Sequence, residues 1–169
     1  MQNVTVEEEK ETKSLVELLT PLFPNGELTT TLKKSPPSSI AGTYLFKVKL
    51  RSSCWRVLQV SSTHTLLDLH YLIQRAFHFD DDHLYTFYMD GKKYGENCYN
   101  APMDNFGPYV NEAEIGDLNL YEGQGFLYLF DFGDEWEFDI QVLKIIEDEE
   151  NAAPRILEEH GEDPDQYGW

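Results

Sequence analysis

Three groups of side chains are of types that do chemistry. The first is Asp131-Phe132-Gly133-Asp134 with Trp136 close behind. Asp131-Phe-Gly133 matches the triplet whose aspartate ligates magnesium in protein kinases, where the metal bridges phosphate groups. A kinase also needs a glycine-rich phosphate loop, a strand lysine in a Val-Ala-Ile-Lys setting and a His-Arg-Asp loop upstream. None precedes Asp131, so the kinase reading fails. As a turn the same residues make sense: Gly133 can take a positive φ, and the aspartates can satisfy turn amides.

The second group is His70, His78 and His83, which with Asp131 and Asp134 would offer nitrogen and oxygen ligands suited to zinc or iron. Their spacing is not diagnostic of a metal site. His70 and His78 project within about 80° of one another on a helix but lie more than two turns apart. His70 also shares the face of Leu66, Ile73 and Phe77, which suits a hydrogen-bonded core histidine. No metal and no cofactor is therefore expected. The third group is the abundant carboxylates. Asp131 and Asp134 would perturb each other if they converged in a cleft, whereas Glu135, Glu137 and Asp139 alternate with apolar residues as the wet face of a strand does. There is no Gly-x-Ser-x-Gly elbow, and neither Cys54 nor Cys98 has an activating neighbourhood in sequence. No residue is assigned as catalytic.

Positioning these groups requires a scaffold, and the chain spells one out. Trp136, Phe138, Ile140 and Val142 alternate with acids, and the preceding run Phe126 to Phe132 is almost wholly apolar. Together they predict a β-hairpin over Gly125 to Ile146 whose tip carries Asp131 to Asp134. An earlier hairpin is read at Tyr44–Leu50 and Cys54–Val60. Thr65-Leu-Leu-Asp68 has capping-box character, and Leu66, Leu69, Ile73, Ala76 and Phe77 recur at helical spacing. A third strand follows at His83–Asp90. Residues 91–124 are irregular, with Ile115, Leu118 and Leu120 hinting at a packed turn. A short helix after Ser14, a strand at Glu27–Lys34 and the Ser35-Pro-Pro-Ser-Ser39 linker precede this core, and a weak helix at Arg155 to His160 follows it. The expected organisation is an N-terminal extension over residues 1–39, a main domain over 40–146 and an acidic C-terminal extension over 147–169. The expected fold is α+β, a mixed sheet of about five strands packed on one main helix, β-grasp-like, with a ferredoxin-like arrangement as the alternative.

Composition narrows the partners. The 169 residues carry a formal charge of −18 and 14% aromatics. That charge disfavours direct binding to nucleic-acid backbones and favours a basic partner. Two cysteines without paired spacing fit a reduced, cytoplasmic setting, and neither a leader segment nor a spanning apolar run is apparent.

Several ordered motifs carry a resemblance. They are Trp55-Arg56-Val57, Thr65-Leu-Leu-Asp-Leu-His70 with Ile73-Gln74 and Ala76-Phe77, His83-Leu-Tyr-Thr-Phe87, and Tyr128-Leu-Phe-Asp-Phe-Gly-Asp-Glu-Trp136. Through these the chain from about Tyr44 to Asp139 resembles the plasmid pRiA-type ORF-three-like family, which includes TnpR-like passenger proteins of transposable elements. Ala153-Pro-Arg155 and Gly161-Glu-Asp-Pro-Asp-Gln-Tyr167 resemble the tail of some members. The resemblance implies a compact α+β fold and an association with mobile elements, and it brings no catalytic set. It also marks a departure, since Phe138 stands where members often have histidine. The expected function is a non-enzymatic protein-binding or adaptor domain, with His83, Tyr85, Asp131, Asp134 and Trp136 rimming a recess for a protein or peptide partner. The rivals are a small metal-dependent hydrolase using His83 with Asp131 or Asp134, and an acidic mimic of nucleic acid that binds a DNA-handling protein.

Overall fold

A computed structural model describes residues 39–147 and 152–168. The helix after Ser14, the strand at Glu27–Lys34, the Pro-Pro stretch and the acidic run at 148–150 lie outside those residues. The described elements are β1 (Thr43–Arg51), β2 (Cys54–Ser61), α1 (Leu66–Phe77), β3 (Tyr85–Tyr88), β4 (Cys98–Asn100), two 3-10 turns at Val110–Glu112 and Ile115–Leu118, β5 (Gly125–Phe130), β6 (Trp136–Ile146) and β7 (Arg155–His160).

The expected five-stranded mixed sheet, β-grasp-like or ferredoxin-like, is not what forms. The seven strands make a single sheet in the order β4-β3-β5-β6-β1-β2-β7, and every strand pair is antiparallel. Among the described residues, one short α-helix accompanies it. Two edge strands account for most of the difference. β4 has only three residues, too few to show a period. β7, read as a weak helix, has almost every side chain exposed, so no apolar alternation marks it. Main-chain pairing to β2 holds it in place, from Trp55 opposite His160 to Gln59 opposite Arg155. Charged residues on such an edge also discourage pairing with a further chain.

The central strands follow the sequence pattern. Phe46 faces Val142 and Val48 faces Ile140 across β1 and β6, and all four side chains are essentially buried. Burying a side chain of this size stabilises by about 1.5–3 kcal/mol. The apolar stripe of α1 closes the same core, with Leu66, Leu69, Ile73, Ala76 and Phe77 fully buried. The helix starts at a capping box: the Thr65 hydroxyl accepts from the Asp68 amide at 3.3 Å, and the Asp68 carboxylate accepts from the Thr65 amide at 2.7 Å. It stops at His78, which adopts the left-handed conformation at φ 54°. Replacing Thr65 by alanine should therefore cost about 1 kcal/mol, read as a lowered urea midpoint with an unchanged slope.

At the β5–β6 tip the turn is built differently from expectation. Asp131 at φ 57° and Glu135 at φ 53° take the left-handed conformations, and Gly133 does not. Asp131 meets the strain with its own side chain, whose Oδ1 accepts from the Gly133 amide at 2.8 Å. A glycine is required at the end of β7 instead. Gly161 sits at φ 82°, and a Cβ there would fall 1.8 Å from the Ser53 carbonyl oxygen.

Candidate functional site

Leaving α1 at His78, the chain passes through Phe79 and the acidic turn Asp80-Asp81-Asp82 before entering β3. The loop after β4 comes back to the same place. Between them opens a recess of about 340 Å³, with Leu67 and Tyr71 on the helix wall, Asp81 to Tyr85 along the turn, and Ala101, Pro102 and Met103 on the loop.

Beneath the recess lies a buried polar chain. His70 is fully buried, its ring stacked on Tyr85 with centroids 3.6 Å apart. One ring nitrogen, Nε2, lies 3.0 Å from Asp81 Oδ1, and Nδ1 lies 2.8 Å from the Tyr128 hydroxyl. Burial lowers the His70 pKa to about 4 against the opposing pull of Asp81, so the ring is neutral near pH 7. A carboxylate only accepts, so Nε2 carries the proton and donates to Asp81. Tyr128 then donates its hydroxyl proton to Nδ1 and accepts from Gln74 Nε2 at 2.8 Å. Burial raises the pKa of both Tyr85 and Tyr128, so both phenols stay protonated.

The five residues expected at the rim are divided. Pairing of Tyr85 with Phe130, and donation from the Asp131 amide to the Leu84 carbonyl at 3.0 Å, bring the hairpin tip against the start of β3. His83 consequently lies between two acids, its Nδ1 2.6 Å from Asp82 Oδ1 and its Nε2 3.5 Å from Asp131 Oδ2. His83 and Tyr85 line the recess, with Asp131 beside His83. Asp134 and Trp136 line a separate concavity of about 260 Å³ with Gln166, Tyr167 and Gly168. Trp136 packs edge-on against Phe79 at 5.0 Å.

Nor do the three histidines gather. His70 turns to Asp81, His78 to Asp163 and His83 to Asp82. Among the described residues no group of three or more His, Cys, Asp or Glu is arranged to hold a metal ion. A larger trough of about 520 Å³ crosses the outer sheet face, but it is open and its Lys49 is already paired with Asp139 at 3.0 Å.

Sequence reasoning passed over Asp81, Tyr71, Leu84 and Met103. In the sequence Asp81 is the middle one of three consecutive aspartates, with nothing to single it out. Tyr71 lies off the apolar stripe of α1, and Met103 sits in a loop with no period. The available signal was the isolated apolar residues Met103 and Phe106 in a polar stretch; both are largely exposed.

The C-terminal segment braces the acidic turn from the other side. Gln166 Oε1 accepts from the Asp80 amide at 2.6 Å, and its Nε2 donates to the Asp80 carbonyl and to Asp82 Oδ1, each at 3.1 Å. The Tyr167 hydroxyl donates to Asp80 and Asp82. The motif 161–167 thus positions the turn that carries Asp81.

Among the described residues no helix is long and apolar enough to cross a membrane. Comparison with known proteins finds similar chains. The uncharacterized protein y4hQ of Sinorhizobium fredii is 29% identical over 113 residues, a match covering 64% of this chain and 56% of that relative's length. The crystal structure of a protein of unknown function from Methanosarcina mazei Go1 superposes with a TM-score of 0.58 at 29% identity, covering 71% of this chain and 70% of the other. The model of the plasmid pRiA4b ORF-3-like protein family matches residues 43–166, from the first residue of β1 to the glutamine that grips the acidic turn, and the chain belongs to that family.

Proposed function

We propose that this protein is a non-enzymatic protein-binding domain that receives a segment of its partner in the recess beside His83. One observation carries the reading: a preformed concavity has apolar lips left in water, Tyr71 at 52%, Leu84 at 41% and Met103 at 87% exposure. Apolar side chains gathered at a concave surface favour a site that a partner covers. His83 and Asp131 stand at its edge as polar contacts that would orient the segment.

Leu84→Arg tests this directly, because Leu84 is half in solvent and the change need not disturb the core. A random peptide library selected on the wild-type protein should yield binders whose affinity falls at least about tenfold on the variant, a loss of about 1.4 kcal/mol. The thermal midpoint should be unchanged. Binders that ignore the substitution, or a selection without enrichment, would refute the recess.

Hydrolysis is a second reading, favoured by the placement of His83 between Asp82 and Asp131, where a general base would be oriented. Turnover abolished by His83→Gln alone would establish it in place of the binding role.

A further inference from the structure

We infer that the recess selects a cation: the segment it receives presents an arginine or lysine next to an apolar side chain, and Asp81 accepts the charge. This rests on the binding role proposed for the recess and names the chemistry of its partner.

Asp81 is half in the recess and half in the core network. Its Oδ1 accepts a hydrogen bond from His70 Nε2 at 3.0 Å, while Oδ2 has no partner among the described residues and the side chain is 40% exposed. Tyr128 and Gln74 fix the ring of His70 from behind, so the free oxygen of Asp81 is held in one direction before any ligand arrives. Such preorganisation spares the ordering cost that weakens most surface ion pairs.

The charge balance around it is one-sided. Asp82 lies on the same wall, and no lysine or arginine lines the recess. Among the described residues, neither carboxylate forms an ion pair with Lys or Arg; their charged-type partners are His70 and His83. His70 is neutral near pH 7. An incoming guanidinium or ammonium would therefore meet the uncompensated charge of Asp81, with the half-exposed ring of Tyr71 on the helix wall as an aromatic neighbour. Leu84 and Met103 provide the apolar contact beside it. His70 acts through Asp81 and is a positioning residue.

The test is an amide NMR titration of the full chain with two capped tripeptides, acetyl-Leu-Arg-Leu-amide and the same peptide with citrulline for arginine. Citrulline keeps the length and most donors of arginine and removes the charge. The arginine peptide should shift the amides of residues 81–85 and 103 and bind at least about tenfold more tightly than the citrulline peptide, the effect of one charge-assisted hydrogen bond. Asp81→Asn, which can still accept from His70, should erase the preference for the arginine peptide over the citrulline peptide. His70→Gln should reduce the preference in the same direction. Equal binding of the two peptides at the recess, or a preference that survives Asp81→Asn, overturns the cation selection and leaves the recess standing. No shift at the recess with either peptide overturns both.

Discussion

Replacing Arg56 by leucine is expected to destabilise the protein by about 3–5 kcal/mol, the summed cost of leaving carbonyls in the interior without their donor. Arg56 is 2% exposed and lies beneath the sheet, against the face of Phe77 at 4.7 Å. Its Nε donates to the Ala76 carbonyl at 2.9 Å, one of the last carbonyls of α1, and Nη1 donates to the carbonyls of Trp55 and His160 at 2.9 and 2.8 Å. Nη2 is paired with Asp163. One side chain thus joins β2, the end of α1, the end of β7 and the tail that braces the acidic turn. Leucine fills part of the volume and leaves three carbonyls without their donor. Urea unfolding should show the loss. Amide exchange should show residues 155–167 opening first, since charged exposed β7 has little other burial to hold it. A loss below about 1 kcal/mol, with the tail still protected, would mean that the network is dispensable.

Acid should weaken the protein well above the range in which carboxylates titrate, and His70 is the cause. Its ordinary pKa of 6.5 falls to about 4 in the folded state because burial disfavours the charged ring. The unfolded chain therefore takes up a proton near pH 6.5 that the folded protein refuses until about pH 4. The stability contributed by keeping this ring neutral is complete above pH 6.5, declines as pH falls, and is gone below pH 4. Over the whole window it amounts to about 3 kcal/mol, with about 2 kcal/mol of that lost between pH 7 and pH 5. The groups facing the ring are Asp81, which favours the proton, and the rings of Tyr71, Tyr85 and Tyr128, of which burial keeps Tyr85 and Tyr128 as neutral phenols. His70→Gln should be less stable at pH 7 and should lack this part of the pH slope. Parallel curves for the two proteins between pH 7 and pH 5 would show that the folded ring titrates normally.

The hairpin shows how far a local pattern reaches. Trp136, Phe138, Ile140 and Val142 declared a strand because alternation is a property of consecutive residues, and β6 runs over that stretch. The tip was legible as a turn, yet which residues take left-handed conformations was not. Asp131 and Glu135 adopt them because the strands they join pair from Phe130 opposite Trp136 onward, and that register is fixed by contacts across the sheet. β7 was invisible for the same reason. Its side chains bury little, and its reason for being a strand is the main chain of β2, about a hundred residues earlier.

What the sequence determined alone was whatever depends on neighbours along the chain: the capping box and apolar stripe of α1, the alternating strands of the two hairpins, the acidic balance and the family motifs. The tertiary structure decided which groups meet. It paired His70 with Asp81, clamped His83 between Asp82 and Asp131, and sent Asp134 and Trp136 to a different hollow. Behind His70, the contact with Tyr128 joins residues 58 positions apart. These meetings follow from sheet order and from where a left-handed His78 turns the chain, and neither leaves a periodic mark in the order of amino acids.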